Sequence, residues 1–309
     1  MKILMKIKKV LSYFLLNPRL FISNLIKEAR ILFTSREKFF ILMKKHPNVQ
    51  FGNVVFPLDQ ENPLTHKGLI ETYQDFLVIE RAVKSVMFKS VEVDVYEYIN
   101  CTLKEGDVFF DVGAHFGYFS ALGASRVGLT GQVHLFEPAP MCFPYLKEFI
   151  SQNSLYTFFL NIVGVGDLET SKELTLSLPP HLSSHSFIPE FLNARHIASE
   201  KLLTPIVRLD SYITKTGVVP ALIKIDVEGY EYKVLKGLEN FFKTSIARPS
   251  IICEISPSAY PYLGHTLSEI FTYMENFGYK AYYSWNYKKP INNINERGGH
   301  NVIFRQNKI

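Results

Sequence analysis

The chain has 309 residues, 47% of them hydrophobic and 20% charged, a composition that excludes a disordered chain. That length suits one large α/β domain with an accessory region. Cys101, Cys142 and Cys253 are odd in number and form no Cys-x-x-Cys pair, which argues against a disulfide framework and a cysteine-bound zinc and suggests reduced thiols in the cytoplasm.

The net charge of +5 is unevenly spread. Residues 1–50 hold 11 Lys/Arg and 2 Asp/Glu, a net of +9, which leaves −4 for the remainder. Ile3, Leu4, Ile7, Val10, Leu11, Phe14 and Leu15 recur at helical spacing. Asn17-Pro18 suits the start of a second helix, to about Phe33, and Thr34 with Glu37 makes a capping box for a third. The apolar run Val10–Leu16 ends at Asn17-Pro18-Arg19 without a cleavage pattern, and no run approaches the roughly 18 apolar residues a spanning helix needs. Residues 1–85 are therefore expected to be a basic helical extension and loop. It either caps the domain or meets an anionic membrane surface, and residues 86–309 are expected to form the main domain.

Residues 51–67 are loop-like, punctuated by Gly52, Pro57 and Pro63, and helices are expected near Leu69–Val86 and Asp94–Leu103. After Glu105-Gly106 short apolar runs alternate with helical stretches. Val108–Val112, Gln132–Phe136, Phe158–Val163, Leu222–Ile225 and Ser250–Glu254 are expected strands. Tyr118–Val127, Met141–Gln152, Tyr230–Phe241 and Leu267–Phe277 are expected helices. That alternation implies a parallel sheet with crossover helices. Lys280–Tyr287 and Asn301–Arg305, separated only by a loop, should add antiparallel strands.

Asp111-Val-Gly-Ala-His-Phe-Gly117 joins a strand to a helix, the place where open α/β sheets bind ligands. Gly113 and Gly117 would let backbone approach a ligand closely. The next strand ends at Glu137, whose carboxylate can accept hydrogen bonds from two vicinal ribose hydroxyls. A dinucleotide site would carry Gly-x-Gly-x-x-Gly facing a pyrophosphate, but Asp111 occupies its first position and would repel that group. A carboxylate there suits a cofactor with a methionine ammonium and a sulfonium. Asp111, Gly113, Ala114, Gly117 and Glu137 are thus the expected residues of an S-adenosyl-L-methionine site.

Four segments resemble the FkbM family of methyltransferases: Asp107-Val-Phe-Phe-Asp-Val-Gly-Ala-His-Phe-Gly-Tyr-Phe-Ser120, Phe136-Glu-Pro138, Val207-Arg-Leu-Asp-Ser-Tyr212 and Leu222-Ile-Lys-Ile-Asp-Val-Glu-Gly-Tyr-Glu231. The resemblance runs from about Val86 to Arg305, and its most specific part is the last string. It implies a class I, Rossmann-like fold with a seven-stranded sheet of order 3-2-1-4-5-7-6. It also implies methyl transfer to oxygen on saccharides or other small secondary metabolites. His115 and Phe116 stand where the family most often has Asn and Ile. In such a fold, the edge near Val163 and Gly164 borders the adenine, so backbone there either lines the purine pocket or forms a plain turn.

Asp226 and Glu228 should reach the cleft at the end of the fourth strand, one of them orienting or deprotonating the acceptor hydroxyl, while Lys224 either stabilises negative charge or pairs with a carboxylate. Glu254 could join them around Mg²⁺, although no metal is expected. His185 is a candidate base or a surface histidine, and Glu92 and Asp94 are candidates for the cofactor's methionine end. Enzymes that methylate base amines resemble one another in an Asn/Asp-Pro-Pro-aromatic run after the fourth strand. Asp226-Val-Glu-Gly-Tyr stands there instead, so a nucleic-acid acceptor is not expected. Hydroxyl methylation of RNA and non-catalytic binding of cofactor or membrane are the alternatives.

Overall fold

A computed structural model of the protein describes residues 48–57, 91–177, 184–291 and 300–306. The helices expected before residue 48 and over residues 69–86 lie outside them. The first described element corrects the loop reading after residue 51. Strands β1 (Asn48–Phe51) and β2 (Val54–Pro57) form a hairpin around Gly52-Asn53. Its alternate residues Val49, Phe51, Val54 and Phe56 are buried.

The hairpin docks on helices α2 (Tyr118–Val127) and α3 (Phe143–Gln152); helix α1 (Val93–Thr102) precedes them in the chain. Phe51 meets Tyr118 edge-on at 5.3 Å, and Phe56 lies 6.1 Å from Phe149. The side-chain amide of Asn153 completes the exposed edge of β2. It donates to Val55 O and accepts from Val55 N, both at 2.7 Å, as a neighbouring strand would.

The main sheet contains β3 (Val108–Val112), β4 (Gln132–Phe136), β5 (Thr157–Asn161), β9 (Leu222–Ile225), β10 (Ser250–Ile255), β11 (Lys280–Tyr283), β12 (Asn286–Pro290) and β13 (His300–Arg305). Its order is β5-β4-β3-β9-β10-β13-β11-β12. The first five are parallel, and β13 lies antiparallel between β10 and β11. The seven-strand expectation falls one short. Lys280–Tyr287 is not one strand, because the chain turns at Ser284-Trp285 and returns as edge strand β12, where terminal Pro290 needs no ladder donor.

A second sheet was not legible in the sequence. β6 (Gly164–Val165), β7 (Thr170–Ser177) and β8 (Ala198–Val207) pair in the order β6-β8-β7, with helix α4 (Pro189–Ala194) between β7 and β8 in the chain. Helix α5 (Leu209–Thr216) follows. The single helix expected over Tyr230–Phe241 is broken into α6 (Glu231–Lys236) and α7 (Glu239–Thr244); α8 is Leu267–Asn276. Gly237 makes the break. A β-carbon there would sit 2.2 Å from Gly166 O, and its carbonyl accepts from Asp210 N at 2.9 Å.

Candidate functional site

The carboxyl ends of β3, β4, β9 and β10 carry the charged residues singled out in the sequence. Asp111 is 1% exposed at the end of β3. Ser120, on the first turn of α2, donates to its Oδ2 at 2.6 Å, while Oδ1 is buried with no hydrogen-bond partner. Glu137, just beyond β4, accepts from His115 N at 2.8 Å through Oε2 and from Ala139 N at 2.7 Å through Oε1. Burial pushes its carboxyl up to about 7, against the pull of those two N–H groups.

The glycines act differently from the expectation. Gly113 has φ +80°, and a β-carbon there would fall 1.8 Å from Asp226 O. The missing side chain lets the β3 turn press against the β9 turn rather than against a ligand. Gly117 has φ +84°, and a β-carbon there would meet Leu146 Cδ2 at 3.0 Å. The N–H groups of Gly113 and Ala114 both donate to Phe136 O, at 2.9 and 3.1 Å, so this turn is tied to β4 before any ligand arrives.

On the other side, Lys224 pairs in register with Asp111 across β3 and β9. It is 2% exposed, lies 4.9 Å from the centre of the Phe119 ring and donates to Asp226 Oδ2 at 2.7 Å. Burial alone would lower its ammonium, but Asp226, Asp111 and Glu92 together raise it, so it stays charged. Of the two roles open to Lys224, the geometry gives it the ion pair, through which it holds Asp226. Burial works to raise the Asp226 carboxyl, and Lys224 overrides it to give a net lowering.

Carboxylate oxygens of Asp226, Glu254 and Glu92 all lie within 4.8 Å of one another. Glu254, in β10, is pushed up to about 11, first by the charge of Asp226 and then by burial, so it carries a proton and hydrogen-bonds Asp226. Glu92 caps α1 in the left-handed region at φ 38°, where Asn301 Nδ2 donates to it at 3.2 Å. The sequence suggested Glu228 as the third member of such a group; the fold supplies Glu92 instead, with the buried Lys224 ammonium already beside Asp226. Asp94 accepts a short hydrogen bond from Ser284 Oγ.

Glu228 sits in the turn after β9 at φ 48°, a strained conformation for a residue with a β-carbon. Ser186 donates to its carbonyl at 2.7 Å, and Arg195 approaches its carboxylate at 3.7 Å. Burial and then Asp226 push it up to about 7. The next residue, Gly229, has φ +102° and would strike Ala259 Cβ at 2.4 Å if it bore a side chain. Glu231 holds this turn by accepting from Gly229 N at 2.6 Å. The Glu-Gly-x-Glu spacing is thus the construction of one tight turn, a role for Glu231 that sequence reading missed.

His185 is neither a free base nor a surface residue. Its Nδ1 accepts from Ser177 N at 3.0 Å, Nε2 lies 3.0 Å from Met141 Sδ, and burial lowers the ring to about 4. Val163 is half-buried and packed on the core, just before β6. Gly164, within β6, lies against Phe187, whose Cζ would be 2.5 Å from an added β-carbon.

Residues 111–281, more than half of the chain, match the family model described as the methyltransferase FkbM domain. The chain belongs to the FkbM methyltransferase family. It is 31% identical over 163 residues to the 31-O-demethyl-FK506 methyltransferase FkbM of Streptomyces tacrolimicus, a match covering 45% of this chain and 62% of that protein. Among solved structures, the methyltransferase FkbM of Methylobacillus flagellatus is 12% identical with a TM-score of 0.38, covering 77% of this chain and 56% of that one. A putative rRNA methylase of Clostridium thermocellum is 13% identical with a TM-score of 0.40, covering 69% and 93%.

The FkbM family uses S-adenosylmethionine, and the residues present fit that molecule. Asp111 Oδ1 is a buried acceptor without a donor. Each Glu137 oxygen carries one N–H and has a further lone pair, so two adjacent hydroxyls could be received.

Proposed function

We propose that this FkbM-family protein transfers the methyl group of S-adenosylmethionine to a hydroxyl of a saccharide or similar small polyhydroxylated metabolite. The carrying observation is the group Glu92, Asp226, Glu254 and Glu228 at the ends of β9 and β10, beside the ribose-binding Glu137 half of the cleft. Bound cofactor supplies a methyl on a cationic sulfonium, already activated for in-line displacement. The protein's share is to position the acceptor and receive its proton. Hydroxyls donate to carboxylates, whereas a phosphate-rich acceptor would be repelled by these acids. Asp226, fixed by Lys224, orients the acceptor, and Glu228 lies at the rim under Arg195. Backbone at Val163 and Gly164 flanks the adenine.

The test is calorimetric titration of S-adenosylhomocysteine, then transfer of radiolabelled methyl to a panel of methyl glycosides with the product bond identified by mass spectrometry. Oxygen-linked methyl supports the reading; transfer to nitrogen or to RNA alone overturns it.

No helix among the described residues is long and apolar enough to cross a membrane. The +9 charge of residues 1–50 favours peripheral contact of a cytoplasmic protein with anionic lipid. Sedimentation with phosphatidylserine vesicles, lost when residues 1–47 are removed, is the expected result, and equal binding to neutral vesicles would exclude it.

A further inference from the structure

We propose that Glu92 is the general base that takes the proton from the acceptor hydroxyl, while Asp226 is the fixed anion that orients it. This assignment rests on the hydroxyl-acceptor reading above and chooses among its carboxylates. Asp226 looks the natural base because it directly follows β9, but its charge is already held from two sides. Lys224 Nζ lies 2.7 Å from Oδ2, and the protonated Glu254 hydrogen-bonds the same carboxylate. A carboxylate held by an ammonium and by a carboxylic acid is a poor proton acceptor.

Glu92 is held more lightly. Its described hydrogen-bond donor is the neutral amide of Asn301, at 3.2 Å, which leaves lone pairs for a ligand. Its left-handed backbone at the start of α1 aims the side chain into the group formed with Asp226 and Glu254, and strain of this kind persists where function requires the geometry. Separately, the hydroxyl of Tyr118 is buried without a hydrogen-bond partner within reach of the Glu92 charge, and Asp111 Oδ1 is likewise unpartnered beside Lys224. Two buried polar atoms without partners beside the acids are groups that a polar ligand would satisfy.

The groups facing Glu92 are Lys224 and Asp226 from the end of β9, Glu228 from the turn after β9, Glu254 from β10, Asp94 from α1 and Tyr118 from α2. Burial first and the Asp226 charge second push Glu92 up to about 7, against Lys224. That value suits a base working near neutrality. In the step, the acceptor O–H bond breaks and its proton goes to a Glu92 oxygen. The acceptor oxygen forms the new C–O bond to the methyl, and the electrons of the broken C–S bond stay on sulfur. The proton on Glu92 then leaves to water.

The test uses the full chain and Glu92→Gln, with ¹³C-carboxyl-labelled glutamate and S-adenosylhomocysteine as the bound probe. The resonance missing from the variant should titrate near pH 7; a midpoint below about 5 overturns the proposal. Affinity for S-adenosylhomocysteine should stay within about threefold, whereas a loss of about tenfold or more would make Glu92 a cofactor ligand instead. Methyl transfer should fall by about 100-fold or more, lose the rise in rate near pH 7, and recover in part in Glu92→Asp. Transfer to oxygen at the wild-type rate in Glu92→Gln sinks Glu92 alone; transfer to nitrogen sinks the acceptor reading. Activity abolished by chelator and restored by Mg²⁺ would assign these acids to a metal and overturn the base role.

Discussion

At the ends of β3 and β4, Glu137 has a backbone N–H on each carboxylate oxygen and Asp111 has a serine hydroxyl on one of its own. At the ends of β9 and β10, Glu92, Asp226 and Glu254 crowd within 4.8 Å with one buried lysine beside them. The first half meets its carboxylates with fixed donors and leaves Asp111 Oδ1 open, as a site for an unvarying ligand should. The second half sets like charges together and holds Glu92 and Glu228 in left-handed backbone. Burial raises the carboxyls of both halves, and in the second the neighbouring Asp226 charge adds to it.

The sharpest way to break this comparison is at Glu137. Glu137→Ala removes both acceptors and the hydrogen bonds they receive from His115 N and Ala139 N. S-adenosylhomocysteine binding should weaken by about 3 kcal/mol or more, over 100-fold, while the titration of Glu92 stays in place. Calorimetry beside carboxyl NMR reads both, and a shift of Glu92 in this variant would show that the halves are coupled. Gly113→Ala comes next, because it acts on the seam between them. A β-carbon 1.8 Å from Asp226 O at φ +80° must force the two turns apart, costing roughly 3 kcal/mol of stability. A melting temperature within a degree or two of wild type would mean that the turns give way easily.

The placement of Asp111 and Glu137 was legible because its parts are local: a buried strand, a glycine turn and an acid at the next strand end. What the glycines do was not, since Gly113 makes room for a carbonyl on another strand. Glu92 and Asn301 meet across a sequence separation of 209, and no spacing rule connects them. Strand alternation put Lys224 and Asp226 on one face but could not say that Lys224 lies buried under Phe119. The hairpin at residues 48–57 hid because Gly52-Asn53 looks like loop punctuation. β8 hid because most of its residues are exposed and show no inward alternation.

A smaller effect tests the repulsion in the acceptor half. Folding raises the Glu254 carboxyl from about 4.3 in an unfolded chain to about 11. The folded protein therefore keeps a proton that the unfolded chain releases, and stability falls as pH rises through that window. Glu254→Gln preserves a donor to Asp226 and removes the loss. It should stabilise the protein at pH 8 and do so by much less at pH 5. Denaturant unfolding at both values checks this, and an equal gain at both would contradict the protonated Glu254.

The smallest effect belongs to the rim. Arg195 is exposed, and its contact with Glu228 is 3.7 Å long, so solvent screens it. Arg195→Ala should change stability by less than about 0.5 kcal/mol and leave S-adenosylhomocysteine affinity as it was. If Arg195 touches the acceptor, the KM for a methyl glycoside should rise with kcat held, the mark of an interaction made equally before and during the reaction. A drop in kcat at constant KM would instead place the guanidinium on the reacting atoms. The rim would then share the chemistry proposed for Glu92.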